Sequence, residues 1–327
     1  MIRTLAIVVF FIGATGAAVF AWGHAAFTQP GPTERPITLV IEPGSGLRAI
    51  ATDLHVAGVI DNPVVFRLGV RAIGLATQLQ AGEFVFPAAI SAREAAELIA
   101  DGKTVLRRFT IAEGLTSAEI VDQLNAVDGL QGYISGSVPE GRLMPETYYF
   151  SFGDDRNAIV ERMKTAMDET LDTLWKTRKA GLPIKSKREA LILASIVEKE
   201  TGIPDERARV AAVFINRLQR GMRLQSDPTV AYGVTEGHEP LGRALTRTDL
   251  KTPTPYNTYT INGLPPGPIA NPGRAAIEAV LNPLETDELY FVADGTGGHV
   301  FAKTLDEHNR NVRKWRKIRD QLQDASN

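Results

Sequence analysis

The stretch REALILASIVEKE, residues Arg188–Glu200, holds neither glycine nor proline, and its apolar residues recur at helical spacing. Pro183 stands ahead of it, with Gly202 and Pro204 just behind, where helices start and stop. The pattern predicts one uninterrupted helix ending at Glu200, with Gly202 as its terminating glycine. At about 100° per residue, Ile192, Leu193, Ile196 and Val197 share a face, and Glu200 extends it. Glu198 points nearly the opposite way, beside Ser195, and reads as a solvated residue of the polar side. A carboxyl group on an apolar face loses hydration, and in a last helical turn it also meets the negative end of the helix dipole. Both effects favour a protonated acid, which is what general-acid donation to a leaving oxygen needs. A partly buried glutamate paired with Arg207 or Arg217 accounts for the same position.

Working outward, the rest of the chain narrows the chemistry. It has 327 residues, 44% hydrophobic and 23% charged, which is globular material with room for about two domains. A formal net charge of -2 leaves no electrostatic footprint for a nucleic acid. Cysteine is absent, which removes disulfides, thiolate nucleophiles and zinc-thiolate sites. The five histidines, at 24, 55, 238, 299 and 308, include no pair at i, i+4, so a helical metal site has nothing to build on. No glycine-rich phosphate loop is present. The expectation is an enzyme without metal or cofactor, in which His299 and His308 are structural.

Residues Leu5–Trp22 run without a charge. A helix of that length spans about 27 Å, close to the hydrocarbon thickness of a bilayer. Arg3 and the terminal amine precede it and Trp22 closes it, so residues 1–4 should face the cytoplasm, 5–23 should cross the membrane once, and the rest should be exported. A cleaved signal peptide is the competing reading, but the apolar run exceeds the usual 7–15 residues. Residues 24–36, with Pro30, Gly31, Pro32 and Pro36, read as a semi-rigid spacer.

Residues 37–130 carry a pattern that returns after seventy positions. A strand-like run at Ile37–Ile41 leads through Pro43 and Gly44 to helical spacing at Leu47, Ile50, Ala51 and Leu54. A second run at Phe109–Ile111 leads through Glu113 and Gly114 to Ile120, Val121 and Leu124. Glu113–Glu119 fits a turn and helix start, with Thr116 or Ser117 as N-cap, and needs no chemistry. A further short helix is expected over Ala92–Leu98, ending near Gly102, and a strand over Leu289–Ala293. The fold class expected is α+β: an N-terminal transmembrane helix, a small module of strand-turn-helix units, and a mixed catalytic domain over residues 131–320.

Several ordered segments resemble the endolytic murein transglycosylase family over nearly the whole length: ASIVEKET at 194–201, VFINRL at 213–218, GMRLQSDPTV at 221–230, TPTPYNTY at 252–259 and GLPPGPI at 263–269. MPETY at 144–148 also matches a family segment, with Glu146 a candidate to reach the cleft and capping after Pro145 the alternative. The VIEPGSGLRAIATDL stretch at 40–54 resembles a LysM module, a small fold that grips the N-acetyl sugars of peptidoglycan; a packing subdomain that binds no sugar is the alternative. The resemblance implies a lyase cutting the β-1,4 bond between N-acetylmuramic acid and N-acetylglucosamine inside a glycan strand, leaving 1,6-anhydro ends. It puts the catalytic glutamate at Glu200, with Glu198 as the alternative. One residue then serves as acid and base, so the lack of a partner carboxylate is no objection. Gln225 and Asp227 are candidate sugar contacts, although Asp227 before Pro228 and Thr229 also fits a turn or cap. Tyr256, Asn257 and Tyr259 are candidates for gripping acetamido sugars, and core packing of the tyrosines is the alternative. The implied partners are peptidoglycan strands, the inner membrane through the N-terminal helix, and cell-wall synthases, with the catalytic domain in the periplasm. A glycan-binding scaffold and a hydrolytic muramidase are the competing functions.

Overall fold

The computed structural model describes residues 2–326, and the chain divides into two units. The first takes in residues 1–108, 128–131 and 149–155, and the second the remainder. The terminal amine and the Arg3 side chain, on which the expected orientation rests, lie outside the described residues.

The first unit opens with α1 (Ile2–Thr28), then β1 (Ile37–Ile41), α2 (Leu47–Val56), α3 (Pro63–Ala72), β2 (Gly82–Phe86), α4 (Ala92–Ala100) and β3 (Arg107–Thr110), the last of which runs past Arg108 into the second unit. Residues Thr4–Thr28 of α1 are long and apolar enough to cross a membrane. β1 and β2 pair antiparallel, Ile37 opposite Phe86 and Ile41 opposite Gly82. Alternate residues of the strands enter a core with the helices: Ile41, Phe84 and Phe86 from the sheet, Leu54 from α2, Phe66 from α3 and Ile99 from α4. α4 is started by a capping box between Ser91 and Glu94.

The expected spacer takes a different form. Helix continues through residues 24–28, and Phe27 is buried in the core of the unit. Gly31 donates to the Ala89 carbonyl, and a Cβ there would lie 2.3 Å from the Ile90 carbonyl oxygen. Residues 24–36 are therefore built into the unit instead of holding it at a distance, because apolar residues beyond Trp22 continue the helix and find a core to enter.

The second unit contains α5 (Ser117–Ala126), the first two residues of β4 (Thr147–Phe150), whose last two belong to the first unit, α6 (Arg156–Lys176), α7 (Lys187–Glu200), α8 (Arg207–Gln219), α9 (Asp227–Thr235), α10 (Arg247–Lys251), α11 (Arg274–Leu281), β5 (Tyr290–Ala293), β6 (His299–Ala302) and α12 (Leu305–Ser326). β3 pairs with β4, and β5 with β6. β5 lies within the strand expected over Leu289–Ala293. The repeated turns are alike in conformation, with Gly44 at φ 82° and Gly114 at φ 78°, both left-handed as glycine permits. Thr116 caps α5 and forms a capping box with Glu119.

α7 is the axis of the second core. Every residue from Ala190 to Val197 is buried, against Val210 and Phe214 of α8, Ile277 and Val280 of α11, and Leu171 of α6. Two expectations change here. Ser195 is fully buried, donating to the Ile192 carbonyl and accepting from the Ile269 N–H, because α7 is covered on all sides and has no polar face at that level. Gly202 does not close the helix in a left-handed turn; Thr201 does so in extended conformation, and its hydroxyl accepts from the Ile203 N–H.

Candidate active site

Glu200 ends α7 partly buried, where the last turn emerges from the core. The loop leading into α9 is brought against it, and Ser226 Oγ donates to Glu200 Oε1. That loop is pinned from behind. The Ser226 N–H donates to Thr258 Oγ1 at 2.9 Å, Thr229 Oγ1 donates to the Ser226 carbonyl at 2.7 Å, and the Gln225 N–H reaches the Thr258 carbonyl. Gln225 sits at φ 51°, a left-handed conformation uncommon outside glycine and maintained by these bonds. Arg217 of α8 is buried and gives its guanidinium to the carbonyls of Leu289 and Leu224, each at 2.6 Å, tying β5 and the loop to the helix core. It forms no ion pair with Glu200.

A cleft of about 410 Å³ opens on this constellation, lined by Glu200, Gln225, Asp227, Tyr259, Tyr290 and His308 among others. Tyr259 donates to Asp227 at 2.6 Å, and the Tyr290 ring stacks on His308. Burial pushes the Glu200 carboxyl up to about 7, and the negative charge of Asp227 adds to the effect. The Ser226 hydrogen bond and the positive fields of His299 and Arg217 act against it. The result is an acid that loses its proton near neutral pH at the wall of an open cleft, suited to give a proton to a bound oxygen and take one back.

Glu198 is placed differently from the expectation of a solvated residue. Its side chain is 4% exposed, accepts from the Gly273 N–H at the start of α11 at 2.9 Å, and faces Arg207 at 3.5 Å. Arg207 also bonds Glu113. Burial raises the Glu198 carboxyl too, but the group is committed to the scaffold and is not on the cleft wall. The helical wheel missed this because α11 and the Glu113 turn cover the side of α7 that the wheel left open.

A model of the YceG-like family matches residues 39–314. The chain belongs to the YceG-like family. It is 40% identical over 178 residues to an endolytic murein transglycosylase of Bacillus subtilis, an overlap covering 54% of this chain and 48% of the relative. It is 30% identical to the endolytic murein transglycosylase of Streptococcus pneumoniae strain D39, over 86% of this chain and 58% of the relative. The chain thus spans about half the length of these relatives. A crystal structure of a yceG-like protein from Listeria monocytogenes superposes with a TM-score of 0.51 at 33% identity, covering 85% of this chain and 99% of that one.

Of the candidate contacts of this YceG-like chain, Gln225, Asp227 and Tyr259 join Glu200 on the cleft. Asn257 does not. It is fully buried, and its side-chain amide donates to the carbonyls of Asp249, Leu250 and Thr252, closing the turn behind the site. Tyr256 packs against Tyr232 at 4.7 Å and over Gly267, away from the cleft lining. Glu146 is exposed outside the cleft. Ser226 and Tyr290 were not among the residues singled out, Arg217 was considered only as an ion-pair partner of Glu200, and His308 was expected to be structural, whereas it lines the cleft. Ser226 and Arg217 lie inside the family-like segments, whereas Tyr290 and His308 carry no local signal.

Proposed function

We propose that this chain is an endolytic peptidoglycan lytic transglycosylase, and that the observation carrying the reading is Glu200, an acid with its proton held to about pH 7 on the wall of a cleft. Glu200 donates its proton to the glycosidic oxygen between N-acetylmuramic acid and N-acetylglucosamine as the C1–O bond breaks. The resulting carboxylate takes the proton of the muramic acid C6 hydroxyl, whose oxygen bonds to C1 and closes the 1,6-anhydro ring. Water is not consumed, and Glu200 ends protonated as it began. Ser226 positions the carboxyl, and Asp227, held by Tyr259, faces the developing positive charge at C1; Gln225 contacts sugar. The names of the relatives and the family membership support the reaction class.

The α1 helix anchors the enzyme in the inner membrane as a single pass with the remainder in the periplasm, where cell-wall synthases deliver new strands. The β1–α2–α3–β2 arrangement supports a LysM-like reading of the module beginning at residue 37, followed by the catalytic domain reaching to about residue 320. Digestion of purified peptidoglycan with the protein, followed by mass analysis of the products, tests the proposal. New 1,6-anhydro ends are expected; reducing ends would make it a muramidase, and no new ends a binding scaffold.

A further inference from the structure

The docking of α1 on the first unit has a consequence for the surface beside it. Ala26 and Phe27, in the C-terminal part of α1, pack on the core of the unit, four and five residues after Trp22. From Trp22 to Phe27 is five residues, about 7.5 Å along a helix. Phe27 lies directly on α3, where a Cβ at Gly69 would meet its ring at 2.5 Å. With no free spacer between, α3 is held within about two helical turns of the point where the uncharged run ends.

The face of α3 flanking this contact is unlike an ordinary solvated face. Val64 and Leu68, one turn apart, are 49% and 60% exposed. Arg71 is exposed on the same side, Arg67 is partly exposed beside it, and the helix contains no acidic residue. Apolar side chains interleaved with arginines suit the boundary between acyl chains and anionic headgroups.

We propose that this face of α3 is a second membrane contact, lying in the lipid interface beside α1 so that the first unit rests on the bilayer in one orientation. The inference rests on the reading of α1 as a membrane anchor, and the test separates the two. The chain has no cysteine, so single labels are clean. The full chain carrying Gly13→Cys or Leu68→Cys, each bearing an environment-sensitive fluorophore, is reconstituted in nanodiscs of phosphatidylcholine with phosphatidylglycerol. Lipids spin-labelled near the headgroup or deep in the chain serve as quenchers. Position 13 should be quenched by the deep label and position 68 by the shallow one, with the signal at 68 reduced at least twofold by Arg71→Gln. Deep quenching at 13 with none at 68 overturns the α3 contact while leaving the anchor intact. Protection of 68 from aqueous iodide without lipid quenching means a protein covers the face and also overturns it. Absence of quenching at 13 removes the anchor reading, and the α3 contact with it.

Discussion

Glu200 combines two demands that oppose each other energetically. Its carboxyl is raised from 4.5 to about 7 by burial, which suits proton donation but makes ionisation costly for the fold. Between about pH 4.5 and 7 the folded chain keeps a proton that the unfolded chain releases, so stability falls as pH rises through that window and is level above it. At about 1.36 kcal/mol per unit the loss is at most about 3 kcal/mol. Glu200→Gln should lack this dependence and be more stable than the parent at pH 8, as read by denaturant titration at pH 5 and 8. The same variant should lower 1,6-anhydro product formation at least about 100-fold, the usual loss on removing a general acid. In the parent, kcat/KM should decline above about pH 7 as the free acid ionises. Ser226→Ala removes a bond that holds the Glu200 pKa down, so that decline should move to higher pH; an unmoved profile would show that Ser226 does not act through Glu200.

At the scale of elements, the junction of α7 with α11 and the docking of α1 on α3 make unequal demands on single residues. A surface glutamate at 198 would tolerate Gln within about 0.5 kcal/mol. As placed, Glu198 faces Arg207 and accepts from Gly273, so Glu198→Gln keeps one hydrogen bond but loses the charge pair. A destabilisation of about 1–3 kcal/mol is expected, with the fold and the Glu200 chemistry retained, as checked by melting and product analysis together. In the first unit, Gly69→Ala should improve α3 by its helix propensity yet cost about 1–3 kcal/mol net, because the new methyl meets the Phe27 ring. A melting temperature equal to or above the parent's would show that α1 yields at this contact.

For the whole molecule, the chain from α1 into the first unit is continuous packed structure, so where the chain is shortened matters. A protein of residues 25–327 retains Phe27, Gly31 and Thr33, whereas one of residues 37–327 loses all three from the unit. The shorter one should be less stable by about 3 kcal/mol or more, the cost of deleting a buried phenylalanine, and differential melting of the two decides it.

What the sequence by itself determined is what depends on neighbours along the chain. The Ile37–Ile41 strand, the helix ending at Glu200, the turns at Gly44 and Gly114, a capped helix start at Thr116 or Ser117 and the long apolar run of α1 all follow from local spacing, turn chemistry and caps. The placement of Glu200 at the edge of the apolar stripe was legible for the same reason, since the last turn of α7 keeps the direction of the stripe and leaves Glu200 partly buried. Only the tertiary structure decided the environment of residues whose neighbours come from far away. Glu198 is enclosed by residues 113, 207 and 273, Asn257 serves carbonyls of its own turn instead of a sugar, and Tyr290 and His308 reach the cleft from the far end of the chain. A helical wheel gives a side chain its direction, but solvation depends on what stands in that direction, and for α7 that is set by packing between elements many residues apart.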